Sequence, residues 1–229
     1  MTNSKIIISL GVVATLGAFM GVVADVLSAW SPGTNQMASA FSVSLDNIIG
    51  LYSEKPRWSY VLGNYFGIYF IPLHIFGFFL VFLALKPASV FWARVLLVLA
   101  LYLTPIGVGL HGSLAFVGDI VKSQDSQLID GIRDYWQPWA YSLVIGYAIL
   151  SILITLLILT GRSAYPKWVA ITSPIGIVFL TGVVIVILPD SANGFKAFLS
   201  LTGLNLPLLV FFPITTWILV RHGEQTMSL

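Results

Sequence analysis

Residues 91–117 read FWARVLLVLALYLTPIGVGLHGSLAFV, and this stretch decides the fold. Past Arg94 it holds no Asp, Glu, Lys or Arg. At about 1.5 Å per residue, a helix of this length outspans the roughly 30 Å hydrocarbon core of a bilayer. Five more runs of the same kind surround it, at 6–27, 60–85, 141–159, 169–188 and 195–220. The expectation is an all-α polytopic membrane protein, a six-transmembrane-helix bundle forming one transmembrane domain over residues 1–229.

Composition agrees. Of 229 residues, 58% are hydrophobic and only 9% charged, whereas soluble domains carry about 25% charged residues. A net charge of +2 spread along the chain makes no basic stripe, so no nucleic acid is expected as a partner. The absence of cysteine excludes disulfides, thiol catalysis and thiolate metal sites. The first run, with Lys5 before it, imitates a signal peptide. It exceeds the roughly 7–15 residues of a signal core and carries Gly17, Gly21 and Asp25 at four-residue spacing. It is expected to stay as a membrane helix.

The polar segments between the runs are unequal. One alternate set holds Lys5, Lys86, Arg94, Arg162, Lys167 and Arg221 against Glu224 alone. The other set holds five cations against eight acids, among them Asp25, Asp119, Asp125, Asp130 and Asp190. Short loops rich in Lys and Arg stay in the cytoplasm. The expected location is the plasma (inner) membrane, with both termini cytoplasmic and the acids outside. Seven tryptophans at or near the ends of the runs fit an interfacial aromatic belt.

Two outer segments are patterned as amphipathic helices. At 36–53, Met37, Phe41, Leu45, Ile48, Ile49 and Tyr52 recur at helical spacing. At 126–136, Leu128, Ile129, Ile132 and Trp136 do the same, with Asp125 or Ser126 as cap. Helices of this kind lie in the interface or cover the mouth of a bundle.

Ionisable side chains inside spans are costly, and each is a functional candidate. Asp25 lies about 6 Å below the outer end of its run, Tyr65 about 8 Å, His111 about 10 Å and Asn205 about 10–15 Å, at the same rise per residue. His111, Ala115 and Asp119 line one helix stripe, Gly17, Gly21 and Asp25 another, and Tyr65 with Tyr69 a third. The expected polar core is Asp25 hydrogen-bonded to His111, with Tyr65, Tyr69 and Asn205 around them as ligand-binding residues. Its structural alternative is a clamp between the first and third helices. Helix breakers adjoin this layer, at Thr104-Pro105 and from Thr202 to Pro207; irregular backbone beside polar groups is a device of transporters. His74, nine residues from Tyr65, points away from it and lies deeper, packed on a neighbouring helix.

Several chemistries fail on placement. Two-histidine haem binding needs both rings at one level, so no cofactor is expected. Zinc hydrolysis wants three or four ligands. The membrane hydrolases of the ceramidase and progestin-receptor type are matched only at Asp25, His111 and Ser113, so no metal is expected. No G-x-S-x-G, phosphate loop or H-E-x-x-H occurs.

The stretches Gly21-Val-Val-Ala-Asp25-Val-Leu-Ser28, Leu62-Gly-Asn64 through Gly77-Phe78, and His111-Gly-Ser113 through Gly118-Asp119 resemble a family of uncharacterised bacterial membrane proteins over the first three spans. That resemblance implies about six helices and no assigned activity. Three functions follow in order. The first is binding or passing a small amphiphile or lipid of the bilayer through an outer-leaflet polar pocket. The second is an auxiliary or assembly subunit that meets a membrane-protein partner through the outer segments. The third is a metal-assisted lipid hydrolase.

Overall fold

The computed structural model describes residues 4–30, 52 and 55–227, with side chains to 221. The described residues are helical and contain no strand. Helix α1 runs Ser4–Ala29. Helix α2, Arg57–Phe70, and helix α3, His74–Leu85, form one long element interrupted by a 3-10 turn at Ile71–Leu73. Pro72 explains the interruption, because its ring denies the helix an N–H and crowds the preceding turn. Helices α4, Val90–Ser123, and α5, Ser126–Leu159, follow. The chain ends with α6, Pro174–Ile187, α7, Asn193–Leu201, and α8, Asn205–Met227.

Among the described residues four elements are long and apolar enough to cross a membrane: α1, α2 with α3, α4, and α5. A bent pair, Asp190–Leu201 with Asn205–Arg221, meets at 63° and makes a fifth if the two are counted as one span. The expected fifth span shrinks to α6, whose 14 residues reach about 21 Å, short of the roughly 30 Å core. Pro174 at its first position and the Ser173 cap, which accepts from the Gly176 N–H at 3.3 Å, explain the late start. The six-run reading therefore resolves into four full-length helices, one bent pair and one short apolar helix.

The second amphipathic segment is not a separate surface helix. Asp125 caps it, accepting from the backbone N–H of Gln127 and Leu128 at 2.9 and 3.2 Å, and the helix then continues through Pro138 to Leu159. A helix of 34 residues is about 51 Å long, so it projects beyond any bilayer core. The expected helix at 36–53 lies outside the described residues, except for Tyr52.

Helix α1 packs on α2, α3 and α8, and α4 packs on α2, α3 and α5. Small residues set these distances. A Cβ on Gly63 would meet the Ala24 carbonyl oxygen at 2.8 Å, so only glycine admits α1 at this crossing. Two apolar clusters result. One gathers Leu96, Ile154, Phe211 and Phe212, and the other Tyr52, Tyr60, Val117, Trp136 and Ala140. The polar layer falls between them.

Candidate functional site

Asp25 sits one turn before the end of α1, and its carboxylate reaches two other elements. Asn205 Nδ2 donates to Asp25 Oδ2 at 2.8 Å, and His111 Nε2 stands 3.5 Å from Asp25 Oδ1. All three side chains are buried or nearly so. Asn205 can reach Asp25 because the chain breaks at Thr202–Leu204, making Asn205 the first residue of α8. Pro207 fits there, since the first turn of a helix has no internal partner for its N–H anyway.

Glycines bring the elements this close. A Cβ on Gly21 would fall 2.6 Å from Asn205 Oδ1, and one on Gly67 would fall 2.4 Å from His111 Cγ. Asn64 secures the His111 backbone. With its amide nitrogen turned toward α4, it donates to the carbonyls of His111 and Gly112 at 2.6 and 2.9 Å.

Of the five residues expected to form the site, the structure brings Asp25, His111 and Asn205 together. Tyr65 and Tyr69 do not join them. They are 50% and 67% exposed and stack on each other with centroids 6.3 Å apart. The close approach on Gly63, Asn64 and Gly67 turns that face of α2 inward and sends both tyrosines to the surface.

Two cavities adjoin the polar group. The larger, about 140 Å³, is lined by Asp25, Ser28, Tyr52, His111, Trp136 and Asn205 among leucines. The smaller, about 70 Å³, lies on the other side, where His74, Thr104 and Tyr147 join His111 and Asn205. His74 is buried with its ring 6.0 Å from that of Phe212, and it shares this cavity with His111. Ser28 Oγ, Tyr52 Oη, Trp136 Nε1, His74 Nε2 and His111 Nδ1 are buried without a hydrogen-bond partner among the described residues. Such groups are rare in folded chains and mark places where water or a ligand belongs.

Trp136 and Tyr52 are the residues that sequence reading missed. Trp136 was expected in the interfacial belt, yet it is 3% exposed, whereas Trp58, Trp92, Trp168 and Trp217 are 47–65% exposed. The signal was available in the sequence. Ile132, Trp136, Ala140, Leu143 and Tyr147 keep helical spacing straight across the expected span boundary at 141.

A clamp closes the same end of the bundle. Lys55, 7% exposed, donates from Nζ to the carbonyls of Val26 and Leu27 at 2.8 and 2.9 Å, two of the unsatisfied groups at the end of α1. Ser59 Oγ donates to Leu27 O at 2.7 Å, and Lys122 Nζ donates to the Lys55 carbonyl. Nearby, Asp119 accepts from Arg57 Nε and Nη2 at 3.0 Å each and from Tyr60 Oη at 2.7 Å. Tyr52, three residues before Lys55, is fully buried edge-on against Tyr60 at 5.4 Å. The clamp thereby fixes one wall of the larger cavity.

The fold and the polar layer define a multi-pass helical membrane protein. The chain belongs to a family of unknown function, DUF6796, whose model matches residues 1–222. No curated protein and no solved structure matches it.

Two outcomes test this geometry. Asp25→Leu strands the Asn205 amide and the His111 ring, and should cost about 3 kcal/mol by analogy with a broken buried pair. The triple change Asp25→Leu, His111→Leu, Asn205→Leu should recover most of it, because a packed apolar layer demands no partner. Thermal melts of the purified proteins in one detergent decide between them, and equal losses in both variants would refute the clamp. Burial pushes the Lys55 ammonium down from 10.5 to about 8. Between those values the unfolded chain binds the proton that the folded chain has released, so the Lys55 contribution to stability rises as pH rises through that window. Lys55→Met should abolish that part of the pH dependence in melts between pH 7.5 and 10.5.

Proposed function

We propose that this protein binds a small amphiphile from the outer leaflet, in the larger cavity. The supporting observation is the cavity itself, lined by the buried polar trio of Asp25, His111 and Asn205 together with leucines. An apolar pocket with a few convergent polar groups is the usual form of a small-molecule site. A volume of about 140 Å³ suits a head group, with the remainder of the molecule in lipid. In this reading the chain crosses the plasma (inner) membrane six times, α6 and the bent pair each counting once, and both termini are cytoplasmic. The acid-rich end then faces outward, and passage of the ligand past the trio would lead into the smaller cavity.

The auxiliary-subunit reading draws on α6, where Phe179, Val186 and Ile187 are 70–83% exposed and only Pro174 is buried. Lipid covers such a face as readily as a partner does, so this reading stands second. The hydrolase reading lacks ligands: among the described residues no group of three His, Asp or Glu could hold a metal ion.

Two experiments bear on the proposal. Mass spectrometry of protein extracted from native membrane should find an amphiphile retained by the unaltered chain. Leu114→Trp, which fills the cavity, should lose it at a stability cost of about 1–3 kcal/mol, and equal retention by both would end the proposal. For the crossing pattern, Ala88→Cys and Ala164→Cys should resist an impermeant thiol reagent applied outside, while Gln127→Cys reacts. Equal reaction at all three positions would overturn it.

A further inference from the structure

The larger cavity also carries information about the charge of its occupant. Among the described residues of its lining Asp25 is the single carboxylate, and no Lys or Arg is among them. The partners of Asp25 are a neutral amide at 2.8 Å and an imidazole at 3.5 Å. The cations at that end of the bundle are engaged elsewhere. Lys55 holds the carbonyls of Val26 and Leu27, Arg57 holds Asp119, and Lys122 holds the Lys55 carbonyl. A carboxylate withdrawn from water without a full counter-charge is expensive.

Two aromatic rings complete the lining. Tyr52 is fully buried and Trp136 is 3% exposed, and both line the cavity beside Asp25. A carboxylate beside Trp and Tyr rings is the combination that attracts alkylammonium groups, through charge and through the ring quadrupoles. The size agrees as well: about 140 Å³ is close to the roughly 150 Å³ of a cavity known to hold a benzene ring. A trimethylammonium or aminoethyl group is of that order. In the sequence, the alternate polar segments to which Asp25, Asp119 and Asp125 belong carry eight acids against five cations, a balance that concentrates cations at a surface.

We propose that the group bound in this cavity is a small organic ammonium, its charge met by the Asp25 carboxylate and its alkyl groups lying against Tyr52 and Trp136. The proposal rests on the reading that the cavity is a ligand site. It also fixes a proton balance. In the empty site Asp25 and His111 together hold one proton, which keeps the pair neutral at membrane depth. When the ammonium binds, that proton leaves for solvent and the pair is left as an Asp25 carboxylate beside a neutral His111 imidazole, so the bound cation balances the charge that the proton balanced before. Among the described residues the other ionisable group on the lining is Tyr52, from the segment before α2. Helix α8 contributes the neutral Asn205, and α5 contributes no ionisable group there.

The test is calorimetric titration of the full chain in maltoside micelles with three probes: choline, its uncharged isostere 3,3-dimethylbutan-1-ol, and dihexanoylphosphatidylcholine. Choline should bind at least about tenfold more tightly than the isostere, a difference of about 1.4 kcal/mol. It should release one proton per molecule bound, read from buffers of different ionisation enthalpy, and Asp25→Asn should erase the preference. The comparison of choline with its isostere on the unaltered chain needs no variant. Isostere binding equal to that of choline would overturn the ammonium assignment and leave the ligand site standing. If none of the three binds, both readings fall. If only the phosphatidylcholine binds, a lipid head group is the source. That result supports the ammonium assignment when Asp25→Asn abolishes it and overturns it when the variant binds as before.

Discussion

A single carboxylate at membrane depth organises the centre of this bundle. Asp25 is tied to α8 through Asn205 and to α4 through His111, so three elements distant in sequence converge on one side chain. In hydrocarbon each of these polar groups alone would be costly, and together they share that cost. The glycines follow from the same demand. Gly21 gives room to the Asn205 amide and Gly67 to the His111 ring. The interruption at Thr202–Leu204 places Asn205 where it can be the first residue of α8.

The Lys55 clamp extends the same logic to the end of α1. Terminal helix carbonyls near a membrane need donors, and an ammonium is suited to a helix C-terminus by charge as well as by hydrogen bonding. Ser59 adds a second donor, and Lys122 anchors the backbone of Lys55 in turn. The Arg57–Asp119 pair is open to solvent, with side-chain exposures of 70% and 41%, and contributes less to stability than to register. Its place beside Tyr60, and through Tyr60 beside Tyr52, is what connects it to the cavity wall.

The buried polar atoms that have no partner among the described residues favour a site over a clamp alone. A clamp needs its own groups satisfied, and the Asp25–Asn205 hydrogen bond meets that need. It gives no reason for Ser28, Tyr52, Trp136, His74 and His111 each to keep a buried donor or acceptor without a partner among the described residues. These five residues line the two cavities on either side of the trio, where water or a ligand can meet them.

Much of the trio was legible in the sequence. Depth along each apolar run placed Asp25, His111 and Asn205 in one layer, because helix rise converts residue number into depth. The small-residue stripes beside Asp25 marked the face of α1 that admits close neighbours. Rotation about the helix axis was less legible. Tyr65 shares the depth of His111 but lies on the opposite side of α2 from Gly63 and Gly67, and the packing of those glycines decided which side turned inward. Trp136 was missed for a related reason: an aromatic near a span end reads as a belt residue until the helix is known to continue outward and bury that face. Sequence by itself determined the helical class, the apolar lengths and the polar layer, since these depend on local composition and periodicity. Tertiary structure alone decided which elements meet and where the cavities lie. Those outcomes depend on how several helices share one volume, and no single run carries that information.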